Sequence, residues 1–204
     1  MDVAQQLIDI GRRFDARGWV LGTSGNFSAV TNRDPLRLAI TRSGAHKGEL
    51  TLADILEYGD GQVFSGEGAA SAETALHLEI VAARGAGSIL HTHSVWSTLL
   101  SHRYAEDGGL AIHGYEMLKG LAGVTTHEHR EWLPILENDQ DMARLALAVR
   151  HALADHPSCH GFLLRRHGLY TWGAAPAEAA RHVEILEFLL ESVARSKEAA
   201  SWRS

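Results

Sequence analysis

The 204-residue sequence predicts an α/β protein of the α+β type, with a mainly antiparallel central sheet flanked by helices. Two observations carry that expectation. Amphipathic helical stretches interleave with short strand-like runs along the chain, and adjacent strand-like runs are joined by short turns. A composition of 45% hydrophobic and 22% charged residues supplies a core without suggesting disorder or fibre.

In chain order, Val3, Leu7, Ile10 and Phe14 recur at helical spacing, so residues 3–17 read as an amphipathic helix ending before Gly18. GTSGNFSAV and LRLAIT follow as two strand-like runs separated by the turn-like NRDP. Residues 41–50, rich in Gly and small polar side chains, read as a loop. Thr51 is placed to cap a short helix through about Tyr58, which Gly59-Asp60-Gly61 breaks. GEGAAS (66–71) is a second loop, with Ser71 placed to cap a helix over 72–84. GSILHTHS (87–94) reads as a buried strand ending in polar residues. Helical patterns return at 95–101, more weakly at 115–121, and clearly at 138–154. GFLLRRHG and LYTW are strand-like, and a last helix begins after Pro176 and runs to about Ala199. No repeat or linker divides the chain, so one domain over residues 1–204 is expected.

The net charge of −6 argues against a nucleic-acid partner, which would require a basic face. A local phosphate site needs only a few donors and stays open. Cys159 is the only cysteine, which excludes an intramolecular disulfide and a cysteine-based zinc site. The N-terminal stretch is unlike a signal peptide, and no apolar run approaches the ~20 residues that span a bilayer. A cytoplasmic protein without a membrane partner is the expectation.

Thirteen histidines would by chance produce about one H-x-H pair, and two occur, His91/His93 and His127/His129. Context separates them. Residues i and i+2 of a strand project from one face, so His91 and His93, following Ser88-Ile89-Leu90, can converge on one ion at a strand end. His127-Glu128-His129-Arg130-Glu131 is charged throughout and reads as a solvated segment. His167 is the best third ligand, because it ends the apolar run Phe162-Leu163-Leu164 and Gly168 permits a sharp turn beside it. Three neutral histidines with one open position are the ligand set of a catalytic zinc. Spacing alone also fits a hydrogen-bonded core or surface histidine at 167. His77, His151, His156 and His182 read as solvent-facing or hydrogen-bonded, and His113 as a residue that could support a ligand from behind.

A polarised carbonyl still needs a base to take the neighbouring proton. Glu73 stands in the first turn of the helix after Ser71, where the helix dipole alone would favour it. Glu116 lies in HGYEMLKG, where pairing with Lys119 is the alternative. Gly22–Asn26, Thr41–Gly44 and Ser71 with the amides after it are three candidate anion-binding loops; none has a nucleotide P-loop pattern.

Taken together, GTSGNFS, ITRSG, the Ser71/Glu73 segment, LHTHS and RRHG resemble the class II aldolase/adducin family, in the family's order and over most of the chain. HTHSVWST, HGYEMLKG, WLPILEN and RRHGLYTWG resemble its sugar-phosphate dehydratase branch. The resemblance implies a class II aldolase/adducin-like fold, a homotetramer, a small phosphorylated sugar as substrate, and one Zn2+ per subunit on His91, His93 and His167. It implies that Asn26, Thr41, Ser43, Gly44 and Ser71 bind phosphate. It implies Glu116 as the acid/base of a dehydratase, or Glu73 as metal ligand or base of an aldolase or epimerase. A non-catalytic binding protein, also present in the superfamily, would be expected to lose the ligands this chain retains.

Overall fold

A computed structural model describes residues 2–201, with side chains through residue 196. The elements are α1 (Val3–Ala16), β1 (Asn26–Arg33), β2 (Leu36–Thr41), β3 (Ile55–Gly59), β4 (Gln62–Ser65), α2 (Thr74–Arg84), β5 (Ser88–Thr92), α3 (Val95–Arg103), β6 (Gly109–His113), β7 (Arg130–Leu136), α4 (Met142–Asp155), β8 (Gly161–Leu164), β9 (Gly168–Gly173) and α5 (Pro176–Ser201). Single 3-10 turns sit at Lys47–Glu49, Leu52–Asp54, Ala105–Asp107 and Glu116–Gly120.

Among the described residues one sheet of nine strands runs in the order β4-β3-β2-β1-β5-β9-β8-β7-β6. Every pairing is antiparallel except β7 with β8. The expected antiparallel sheet between helices is therefore present. Strand alternation sorts the core into two faces. Ile89, Phe162, Leu164 and Tyr170 pack under α2 and α4. On the opposite face Leu163 and Leu169 meet α3 and α5, and Leu90 and Phe27 meet α1 and α5.

Four strands lie where no strand was expected. The helix expected from Thr51 to Tyr58 stops after one 3-10 turn, closed by Thr51 and Asp54 capping one another. Its continuation is β3, because Leu56 and Tyr58 pair with Ile40 and Leu38 of β2. The Gly59-Asp60-Gly61 breaker is a hairpin turn with Asp60 and Gly61 at positive φ, leading into β4. β6 and β7 form a second hairpin-like pair, and β7 contains the supposedly solvated Glu131, which is buried. The 115–121 segment is a 3-10 turn. α2 begins at Thr74 rather than at 72, with the Ser71 hydroxyl accepting the Glu73 amide one step earlier.

Candidate metal centre and anion cavity

β5 and β9 are neighbours, so the histidine pair ending one strand meets the turn that begins the other. His91 lies opposite Tyr170 in the register, and Asn26 of β1 lies opposite His91 on the other side. His91, His93 and His167 bring ligand atoms within 4.8 Å of one another. His91 Nε2 is 2.7 Å from His93 Nε2 and 3.3 Å from His167 Nε2.

Tautomers make this convergence a donor set for a cation. His91 Nδ1–H donates to Leu169 O at 3.0 Å, and His167 Nδ1–H to Asn138 Oδ1 at 3.3 Å. That leaves Nε2 of His91 and of His167 as lone pairs aimed at the same point, with His93 Nε2 beside them. Burial disfavours protonation of the rings: it drives His91 well below the ordinary histidine range, lowers His93 to about 4 and lowers His167 despite the neighbouring Glu73 carboxylate. Converging lone pairs repel unless a positive ion lies between them. The residues present therefore fit a divalent metal.

Gly168 does not supply the turn. The left-handed residue is Arg166, with φ of 57°, and Gly168 is required for close approach. A Cβ there would run into the Thr92 carbonyl oxygen and crowd the His91 and His93 rings. Gly25 has φ of 72° and sits so near the His91 carbonyl that a Cβ would come within 2.6 Å of it. Beneath the cluster the His91 ring stacks on Tyr170 at 3.9 Å, and Tyr170 on Phe162 at 5.0 Å. Thr92 points to the other face and donates its hydroxyl to Glu187 of α5, a buried carboxyl pushed up to about 7 by desolvation.

Glu73 is at the cluster. Its oxygens lie 3.7 Å from His91 Nε2 and 3.5 Å from His167 Nε2. A buried chain holds it: Ser28 Oγ meets His77 Nδ1 at 2.7 Å, His77 Nε2 meets Asn26 Oδ1 at 2.5 Å, and Asn26 Nδ2 donates to Glu73 at 2.6 Å. With Oδ1 facing the imidazole, Asn26 presents its amide nitrogen to the carboxylate. The Asn26 side chain thus has a task besides the expected anion binding. Sequence reasoning missed His77, which reads there as one more helix histidine. It is fully buried, and desolvation lowers it to about 3.

Glu73 and His93 also border a cavity of about 170 Å³ lined by all three candidate anion loops, with Asn26, Thr41, Ser43, Gly44 and Ser71 on its wall. Besides Asn26, other side chains there are already engaged: Thr41 Oγ1 accepts the Phe27 amide, the Ser71 hydroxyl accepts the Glu73 amide, and Arg42 is paired with Asp54 at 2.6 Å. Lys47, also missed, is buried close by. Its ammonium donates to Ala45 O at 2.7 Å and Thr23 O at 3.3 Å, and burial lowers it to about 8, so it is charged at neutral pH.

The structure does not bring Glu116 to the histidines within one chain. It sits on the 3-10 turn after β6, its side chain 72% exposed, 2.6 Å from Lys119 and 3.8 Å from His127. Tyr115 beside it and Trp96 of α3 pack on the same apolar cluster, and the Glu116 turn itself lies against α5. His113 is exposed at the end of β6 and lines a different cavity.

Residues 5–193 match the family described as Class II Aldolase and Adducin N-terminal domain. The chain is 47% identical over 192 residues to a methylthioribulose-1-phosphate dehydratase of Pseudomonas aeruginosa, covering 93% of this chain and 92% of that protein. It is 46% identical over 190 residues to the dehydratase of the same name from Acidiphilium cryptum, covering 92% and 87%. An L-fuculose-1-phosphate aldolase structure from Thermus thermophilus superposes with a TM-score of 0.78 at 25% identity, covering 98% of this chain and 97% of that one.

Proposed function

Since the chain belongs to the class II aldolase and adducin N-terminal domain family, we propose that it is a zinc-dependent lyase that dehydrates 5-methylthioribulose 1-phosphate to 2,3-diketo-5-methylthiopentyl 1-phosphate, a step of methionine salvage. The observation that carries this reading is the open three-histidine donor set bordering a loop-lined anion cavity, in a chain 47% identical to a protein named for that reaction.

Held by His91, His93 and His167, the zinc would draw charge from the C2 carbonyl and so acidify the C3–H bond. The loops carrying Asn26, Thr41, Ser43, Gly44 and Ser71 hold the phosphate, with the buried Lys47 ammonium adding positive charge behind them. Glu116 takes the C3 proton on a carboxylate oxygen. The C4 hydroxyl then leaves as water with the proton Glu116 returns, and the resulting enol becomes the second ketone. Glu73, fixed by Asn26, completes the metal's surroundings or serves as the base. The second reading, an aldolase or epimerase with Glu73 as base, is favoured by its place beside the histidines while Glu116 lies on an exposed turn.

We further propose that the enzyme is a cytoplasmic homotetramer. Leu21, Val95 and Leu99 support a subunit contact near the site: all are more than half exposed, and they sit just before the Gly22–Asn26 loop and in the helix after His93. Light scattering at four chain masses is the expected result. For the reaction, zinc-loaded enzyme incubated with methylthioribulose 1-phosphate should yield a diketone phosphate lighter by one water. Cleavage of ketose 1-phosphates to dihydroxyacetone phosphate and an aldehyde, without dehydration, would reject this assignment.

A further inference from the structure

His129, Glu131 and His160 form a second cluster, away from the His91 centre, where β7, the segment before it and the start of β8 meet. Their ligand atoms also lie within 4.8 Å of one another. We propose that this cluster is a second metal site, binding a divalent transition cation of the zinc class through two imidazoles and one carboxylate. It is independent of the reaction proposed above.

Both rings aim at one oxygen. His129 Nε2 lies 2.8 Å and His160 Nδ1 2.9 Å from Glu131 Oε2. The far side of His160 is committed, since its Nε2–H donates to Ala122 O at 2.8 Å. In the neutral ring that leaves Nδ1 as a lone pair facing a carboxylate oxygen, a repulsive contact unless a positive ion intervenes. Glu131 is oriented as well: Oε1 accepts the His160 backbone amide at 2.8 Å, leaving Oε2 for the cluster. An imidazole whose second nitrogen is tied to a backbone carbonyl, with a carboxylate held by an amide, is the outer shell that metal ligands characteristically have. The Ala122 amide in turn donates to His182 Nε2 at 3.0 Å, and His182 Nδ1–H donates to Trp172 O at 2.7 Å, so the support reaches α5 and β9.

Accessibility and donor chemistry agree with this assignment. Glu131 is 1% exposed and His129 27%, so the cluster has a buried anchor and a ligand open to solvent. Nitrogen and carboxylate donors in a set of three suit zinc, cobalt, nickel or iron rather than calcium or magnesium, and leave a position for water. The ion would pin the segment between the Glu116 turn and β7 onto the sheet.

The competing occupant is a proton, which would make His160 and Glu131 a buried ion pair with the same contacts. Metal stoichiometry separates the two. Full-length protein equilibrated with excess Zn2+ and desalted should retain two ions per chain by elemental analysis. The variant His93→Ala/His167→Ala should retain one, and loaded with Co2+ it should show visible d–d absorption. His129→Ala should retain one, as should His129→Gln, which preserves an N–H donor to Glu131 should the alanine variant fold poorly. One ion in the wild type and none in folded His93→Ala/His167→Ala would overturn the proposal in favour of the proton. Two ions in folded His129→Ala or His129→Gln would equally overturn it, placing the second ion elsewhere.

Discussion

Glu73 and Glu116 differ in what holds them, and that difference sets what each substitution should do. Glu73 is anchored through Asn26 and His77 beside the three Nε2 atoms. Removing its charge should therefore alter the metal as well as the chemistry. Among the described residues the partners of Glu116 are Lys119 and His127, and the Lys119 ammonium holds its carboxyl below the usual range, ionised and able to accept a proton at neutral pH. Glu116→Gln should keep its full zinc content and lose roughly 10²–10⁴-fold in kcat, the usual worth of a positioned acid/base. Glu73→Gln should lose activity together with zinc affinity, read by competition with a chelator. Full dehydratase activity in zinc-loaded Glu116→Gln would transfer the base to Glu73. His77→Phe, which keeps the ring and deletes both nitrogens, should reproduce part of the Glu73→Gln effect, because Asn26 then has no donor to fix its amide orientation. The triad was legible in the sequence because strand ends leave a local signature in Ile89-Leu90 and Leu163-Leu164. The His77 relay was not, since its contacts to Ser28 and Asn26 span 49 and 51 residues.

Among elements, the best-read ones owe their signal to local periodicity. α1, α4 and α5 each show an apolar stripe, and β1, β2, β5, β8 and β9 are short runs with buried residues on both faces. β3, β4, β6 and β7 have weaker local signals because their pairing partners decide them. β4 is mostly exposed, β6 is an edge strand, and β7 opens with charged residues and contains Pro134. β7 also shows why a charged stretch is a poor guide to exposure: Glu131 is buried because His129 and His160 satisfy it. The junction of β5 and β9 yields a prediction at this scale. Gly168→Ala would place a methyl against the Thr92 carbonyl and both rings of the histidine pair. Overpacking of this kind costs about 1–3 kcal/mol, which for a chain this long lowers Tm by on the order of 5 °C. A matching fall in zinc affinity should accompany it. An unchanged Tm with intact zinc binding would mean that the strands separate without cost and that close approach is not what requires the glycine.

Across the whole molecule, buried neutral histidines couple folding to pH. Burial lowers His91 well below its ordinary range, His93 to about 4 and His77 to about 3. In the unfolded chain each would take up a proton near pH 6.5. Between 6.5 and about 4 the unfolded state therefore binds protons that the folded state refuses. Stability from these groups is fully present above 6.5 and is lost as pH falls, by up to about 1.4 kcal/mol per pH unit for each histidine. His160 and Glu187 work in the other direction: Glu131 outweighs burial to raise His160, and burial pushes Glu187 up to about 7, so both contributions are full at low pH and fade as pH rises through the folded values. Burial lowers His167 and His182 as well, so five depressed histidines stand against these two groups. Metal-stripped protein should accordingly unfold at a clearly lower urea concentration at pH 5 than at pH 7.5, with an unchanged m-value. Zinc at pH 7.5 should raise the midpoint further, since an ion bound only by the folded state stabilises it by mass action. Equal midpoints at the two pH values would show that the folded protein accepts these protons without cost. The Nε2 cluster would then be protonated at pH 5, where zinc should bind far more weakly than at pH 7.5.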